Sequence, residues 1–113
     1  MEIAKLQEEI DDWIRKYGVR YFEIQTNTLL LMEEIGELSR MVARMYGEQS
    51  FKIDITPEEQ KRKMQDELGD ILFVLICIAN QTQTNLQDVM EKNLLKKSQR
   101  DHVRHHNNPK LRR

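Results

Sequence analysis

The chain has one cysteine, two prolines, four glycines and seven aromatic residues in a length of 113. A single cysteine, Cys77, cannot form an internal disulfide, and it lies in an apolar run, which fits a reducing, cytosolic setting. Scarce Gly and Pro beside abundant Leu, Ile, Met, Glu and Lys favour helices over sheets. The first residues, MEIAKLQEEIDDWI, are too acidic for a secretory signal. The longest apolar run, ILFVLICIA at 71–79, is too short to cross a bilayer. The expectation is a soluble, cytoplasmic chain of one domain, 1–105, followed by a polar basic end, 106–113.

The net charge of −1 hides an uneven distribution. Residues 1–95 hold 11 Lys/Arg against 18 Asp/Glu, a net of −7, whereas residues 96–113 hold 7 against 1, a net of +6. An acidic body with a basic end leaves three uses for that end: a solvated tail, a nucleic-acid arm, or a clamp for a small anion.

Apolar spacing marks four helical segments. Ile3, Leu6, Ile10, Trp13, Ile14 and Tyr17 place the first over 2–17, with Gly18 as its stop. The second spans 26–46 and stops at Gly47, and 48–55 read as a loop. Thr56-Pro57-Glu58-Glu59 opens the third with an N-cap threonine, a first-turn proline and a glutamate three residues on, and it continues to about 81. The fourth starts near Thr84 or Asn85, with Leu86, Val89, Met90 and Leu94 as its stripe, and runs past Arg100. The predicted fold is all-α, a four-helix-bundle-like subunit. The third segment is apolar on almost every side from 71 to 79, so in so short a chain a second subunit is expected to cover its outer face.

Acidic residues sit inside this apolar pattern. At about 100° per residue, Glu34 falls within the arc of Leu31, Leu38, Met41 and Met45, Glu37 at its edge and Glu33 further out. On the third segment Glu67 and Asp70 flank the direction of Val74, while Asp66 points toward Phe73 and Cys77. A lone acid at such an edge reads as a surface ion pair. Two i,i+3 pairs, Glu34/Glu37 and Glu67/Asp70, on helices expected to pack antiparallel, bring four carboxylates to one cleft. Such a cluster repels itself, and a multivalent cation resolves it; all-oxygen donors favour Mg²⁺, Mn²⁺ or Ca²⁺. A di-iron bundle needs Glu-x-x-His pairs, and His102, His105 and His106 all lie at the C-terminal end.

MEEIGEL at 32–38 followed by DELGDILFVL at 66–75 resembles the MazG-like branch of the all-α nucleoside triphosphate pyrophosphohydrolases. The motif E-E-x-x-E then E-x-x-D is matched in full by Glu33, Glu34, Glu37, Glu67 and Asp70, and the likeness extends from Tyr21-Phe22 to the KKSQRD stretch. It implies an oligomer, a homodimer or dimer of dimers, with Mg²⁺ (Mn²⁺ as a substitute) held by Glu34, Glu37, Glu67 and Asp70. It also implies hydrolysis of an NTP or dNTP to the monophosphate and pyrophosphate, with house-cleaning of surplus or non-canonical nucleotides as a role. Glu33 or Glu37 would serve as general base. Lys96 and Arg100 match the phosphate-binding residues of relatives, with Lys97 and Arg104 in reserve; Ser98 stands where relatives often carry Asn. Trp13, Phe22 and Asn80 are the base-pocket candidates. No Ser, Cys or His is placed as a nucleophile and the GxxxxGK[ST] phosphate loop is absent, so water is the expected attacking group. Two alternatives stand beside this reading. One is a phosphoribosyl-ATP pyrophosphohydrolase-like enzyme. The other is a non-catalytic helical dimerisation module whose basic end touches nucleic acid, against the opposition of the −7 body.

Overall fold

The computed structural model describes residues 2–51 and 54–112, with the side chains at 101–103 outside the description. Four α-helices account for most of the chain: α1 (Ile3–Trp13), α2 (Ile24–Tyr46), α3 (Pro57–Gln81) and α4 (Leu86–His106). No strand occurs among the described residues.

The punctuation read from the sequence sets most boundaries. Thr56 caps α3 by accepting a hydrogen bond from the Glu59 amide at 3.2 Å, and Pro57 occupies the first turn, where a missing N–H costs nothing. Gly47 ends α2; a side chain there would meet the Ala43 carbonyl at 2.7 Å. Asn85 caps α4, its Oδ1 accepting from the amides of Gln87 and Asp88.

Two ends differ from expectation. The first segment does not stay α-helical to Tyr17 but passes at Ile14 into a π-turn, Ile14–Gly18. It is followed by Val19 at φ 70°, ψ −54°. The Arg20 amide donates to the Gly18 carbonyl across Val19, a γ-turn of the strained hand on a β-branched residue. At the end of α3, Gln83 adopts φ 52°, while the Thr84 amide reaches the Ala79 carbonyl and the Gln83 amide that of Asn80. This is a Schellman closure with glutamine where glycine is usual. The basic end is folded back: a 3₁₀ turn, Pro109–Leu111, lets Arg112 donate to the His106 carbonyl at 2.7 Å.

Helices α2 and α3 form the main pairing and run antiparallel, since Asn27 meets Gln81 at one end and Glu34 meets Glu67 and Asp70 further along. Helix α1 lies across α3 and closes a small core of Ile10, Ile76 and Cys77, joined by Leu6, Ile14, Tyr21, Phe73 and Leu86. Above this core runs a polar network. Gln7, buried, donates to Asn80 Oδ1 and to the Thr84 carbonyl and accepts from the Leu86 amide, so one side chain ties α1 to α3 and to the start of α4. Asn80 donates to the Gln7 carbonyl and to the Tyr21 hydroxyl, which donates at 2.6 Å to Asp11. Burial, then this bond to Asp11, pushes the Tyr21 hydroxyl up to about 12; the bonds from Arg15 and Tyr21 hold Asp11 low.

The apolar run of α3 is not enclosed within one chain. Ile76, Cys77 and Ala79 are buried, but Leu68, Leu72 and Leu75 are 40–48% exposed along its outer side. Helix α4 rests on α1 and leaves most of its own stripe open, with Val89, Met90, Leu94 and Leu95 all exposed. The radius of gyration is accordingly 17.8 Å, against about 13 Å for a closed domain of this length.

Candidate active site

The antiparallel pairing of α2 and α3 sets the two carboxylate pairs against each other. Glu34, Glu67 and Asp70 each bring a carboxylate oxygen within 4.8 Å of the other two. Glu34 and Glu67 are half-buried and Asp70 is exposed, so the cluster opens to solvent on the Asp70 side. Glu37 joins from α2 beside Glu67. Close approach to Glu34, then burial, then approach to Glu37 push the Glu67 carboxyl up to about 8.

Two further atoms bear on what the cluster holds. Glu34 Oε2 and Glu67 Oε2 are buried without a hydrogen-bond partner. Buried carboxylate oxygens without donors are costly, and among the described residues no lysine or arginine pairs with them. Oxygen-only donors, gathered on one side of two rigid helices and left unsatisfied, fit a hard divalent cation.

The other sequence candidates fall in different places. Glu33 and Asp66 are exposed and outside the three-carboxylate cluster. Trp13 and Phe22 line one apolar cavity of about 300 Å³ with Tyr21, Asn27, Leu30, Phe73 and Val74. Trp13 packs edge-on to Phe73 with ring centres 5.7 Å apart. Because Leu30 precedes Glu34 by one turn and Val74 follows Asp70 by one turn, this cavity adjoins the carboxylates along both helices. Asn80 is not in it; its amide is consumed by the Gln7–Tyr21 network. Lys96 and Arg100 are exposed on α4, which rests on α1, and among the described residues none from α4 lines the cavity beside Glu37 and Glu67. Lys97, Arg104, His105 and His106 are also exposed, and the His102 side chain lies outside the described residues. Cys77 is buried and its thiol is pushed by burial up to about 11, so it is no nucleophile.

Two site residues escape a search for motifs. Arg40 and Arg44 share a cavity of about 150 Å³ with Glu37, Met41 and Glu67. Their signal was present in the spacing: both fall three or seven residues beyond Glu37, on the same face of α2. Asn27, 4% exposed, brings a polar group to the apolar cavity, with its amide donating to Gln81 at 2.7 Å.

Comparison with known proteins places this helical fold among the hydrolases. Residues 22–105 match the family model of the MazG nucleotide pyrophosphohydrolase domain, and the chain belongs to that family. It is similar to the protein YpjD of Bacillus subtilis (strain 168), 35% identical over 96 residues covering 85% of this chain and 83% of that protein. YvdC of the same organism is 28% identical over 94 residues, covering 80% and 88%. Among solved structures, Bacillus subtilis YpjD superposes with a TM-score of 0.74 at 32% identity, covering 85% of this chain and 94% of that one. The Bacillus-conserved MazG protein, a nucleotide pyrophosphohydrolase, gives a TM-score of 0.72 at 32% identity, covering 91% and 96%. Family membership favours the enzyme over the non-catalytic helical module. No helix among the described residues is long and apolar enough to cross a membrane.

Proposed function

We propose that the chain hydrolyses a nucleoside or deoxynucleoside triphosphate to the monophosphate and pyrophosphate, with Mg²⁺, or Mn²⁺ in its place, held by Glu34, Glu37, Glu67 and Asp70. The observation that carries this reading is the pair of unpartnered buried oxygens, Glu34 Oε2 and Glu67 Oε2, inside a carboxylate cluster of 4.8 Å spread. Bound there, the cation would offset phosphate charge and acidify an attacking water.

The chain's own groups divide the remaining work. Glu37, exposed yet beside Glu67, is the carboxylate placed to accept the water's proton; Glu33, further out on α2, orients rather than abstracts. The aromatic cavity next to the carboxylates receives the base, between Trp13, Phe22 and Phe73. Selection among nucleotides, including surplus or damaged ones, then falls to this cavity.

A second copy completes the subunit. The chain exposes 9236 Å² at 13.6 kDa, whereas a closed monomer of that mass exposes about 6,600 Å². An excess of roughly 2,600 Å² per chain is the scale of an obligate dimer interface. Lys96 and Arg100 serve as phosphate contacts only if such packing carries an α4 to a carboxylate cleft. The test is incubation with a dNTP and NTP panel plus Mg²⁺. Monophosphate and pyrophosphate, lost on chelation, support the reading; no turnover of any nucleotide overturns it.

A further inference from the structure

We infer that Arg40 and Arg44 form an anion-binding wall of the cleft and grip the pyrophosphoryl part of the substrate. This rests on the pyrophosphohydrolase reading but concerns residues outside the E-E-x-x-E and E-x-x-D motifs.

The geometry comes first. Both arginines line the cavity that also holds Glu37 and Glu67. At 1.5 Å rise per residue they stand about 4.5 Å and about 10.5 Å beyond Glu37 along α2, so they extend the carboxylate site in one direction. The aromatic cavity extends it in the other, toward Leu30 and Asn27. A nucleotide laid across the carboxylates with its base among the aromatics therefore directs its terminal phosphates to the arginines.

The second observation is that these guanidinium groups are not used inside the chain. Glu37 lies at the i,i+3 distance from Arg40, and Glu67 lines the same cavity, yet among the described residues neither arginine makes an ion pair or a side-chain hydrogen bond. Two arginines present only to neutralise the local acids would be paired with them. Their planar forks suit bidentate contact with phosphate oxygens.

The charge balance asks for such groups. Four carboxylates and a triphosphate place several negative charges in one cleft, and divalent cations offset only part of them. Arginines beside the leaving pyrophosphate stabilise the charge that builds there as the α–β bond breaks.

The experiment measures two affinities on the full-length protein by calorimetry: Mn²⁺ alone, and inorganic pyrophosphate at saturating Mn²⁺. The Arg40→Ala/Arg44→Ala variant should bind pyrophosphate at least tenfold more weakly. It should bind Mn²⁺ alone as tightly as wild type or tighter, because two positive charges have left the site. Arg40→Lys/Arg44→Lys should recover part of the pyrophosphate affinity. Pyrophosphate affinity within twofold of wild type in the alanine variant overturns the assignment. So does a loss of oligomeric mass that accompanies the loss of affinity, since the arginines would then serve assembly. A wild-type protein that binds Mn²⁺ but no pyrophosphate would overturn the pyrophosphohydrolase reading itself, a result distinct from failure of the arginine assignment.

Discussion

Glu67→Gln is the substitution whose effect on stability follows most directly from the site. Without a cation, Glu34 and Glu37 push the Glu67 carboxyl from 4.5 to about 8. Folding therefore takes up a proton between those values, so stability is greatest below the unfolded value, falls as pH rises and levels once Glu67 ionises. At about 1.4 kcal/mol per pH unit the ceiling is ~5 kcal/mol. The cleft is open beside Asp70, and screening and side-chain rearrangement bring the expected loss to about 1–2 kcal/mol. For a domain of this size that is a melting shift of about 4–8 °C. Thermal unfolding of the chelated protein, followed by circular dichroism from about pH 6 to about pH 9, should show the decline in wild type and a nearly flat profile in Glu67→Gln. Millimolar Mg²⁺ should restore the alkaline wild type and leave the variant unchanged. A variant that declines as steeply as wild type, or a wild type indifferent to the cation, would refute the argument that these carboxylates are mutually destabilised and relieved by metal.

Other consequences are more local. Gln7→Ala strips partners from Asn80, Thr84 and Leu86 at once and should cost about 2–3 kcal/mol in denaturant unfolding. Gln83→Gly, at φ 52°, should raise stability by about 1 kcal/mol because the left-handed cap suits glycine. Leu72→Glu, on the open side of α3, should leave the helices intact by circular dichroism but reduce the mass measured by light scattering; an unchanged mass would show that no second copy covers this face.

Much of this architecture is visible before any coordinates. Helix α3 announces itself because Thr56, Pro57 and Glu59 each satisfy a different demand of a helix start. The carboxylate cluster is legible because i,i+3 spacing fixes a face and antiparallel pairing brings two faces together. What stays hidden has physical causes as well. Val19 gives no turn signal, since the chain bends there on a β-branched residue rather than on glycine or asparagine. Asn80 stands out in the sequence only as a base-pocket candidate, because nothing in the neighbours of Gln7 or Asn80 reveals that their amides satisfy one another across 73 positions. The stripe of α4 has the period of a bundle face, yet periodicity cannot say whether its cover comes from the same chain or from another.

The central claim is that the α2–α3 carboxylates hold the cation that makes a nucleoside triphosphate hydrolysable between its α and β phosphates. Phosphorus NMR of wild type and Asp70→Asn, each with a deoxynucleoside triphosphate and Mg²⁺, tests it most directly. Wild type should yield monophosphate and pyrophosphate alone, and Asp70→Asn should yield neither while keeping its helical spectrum. Release of free phosphate by wild type, or full activity in Asp70→Asn, would contradict the account.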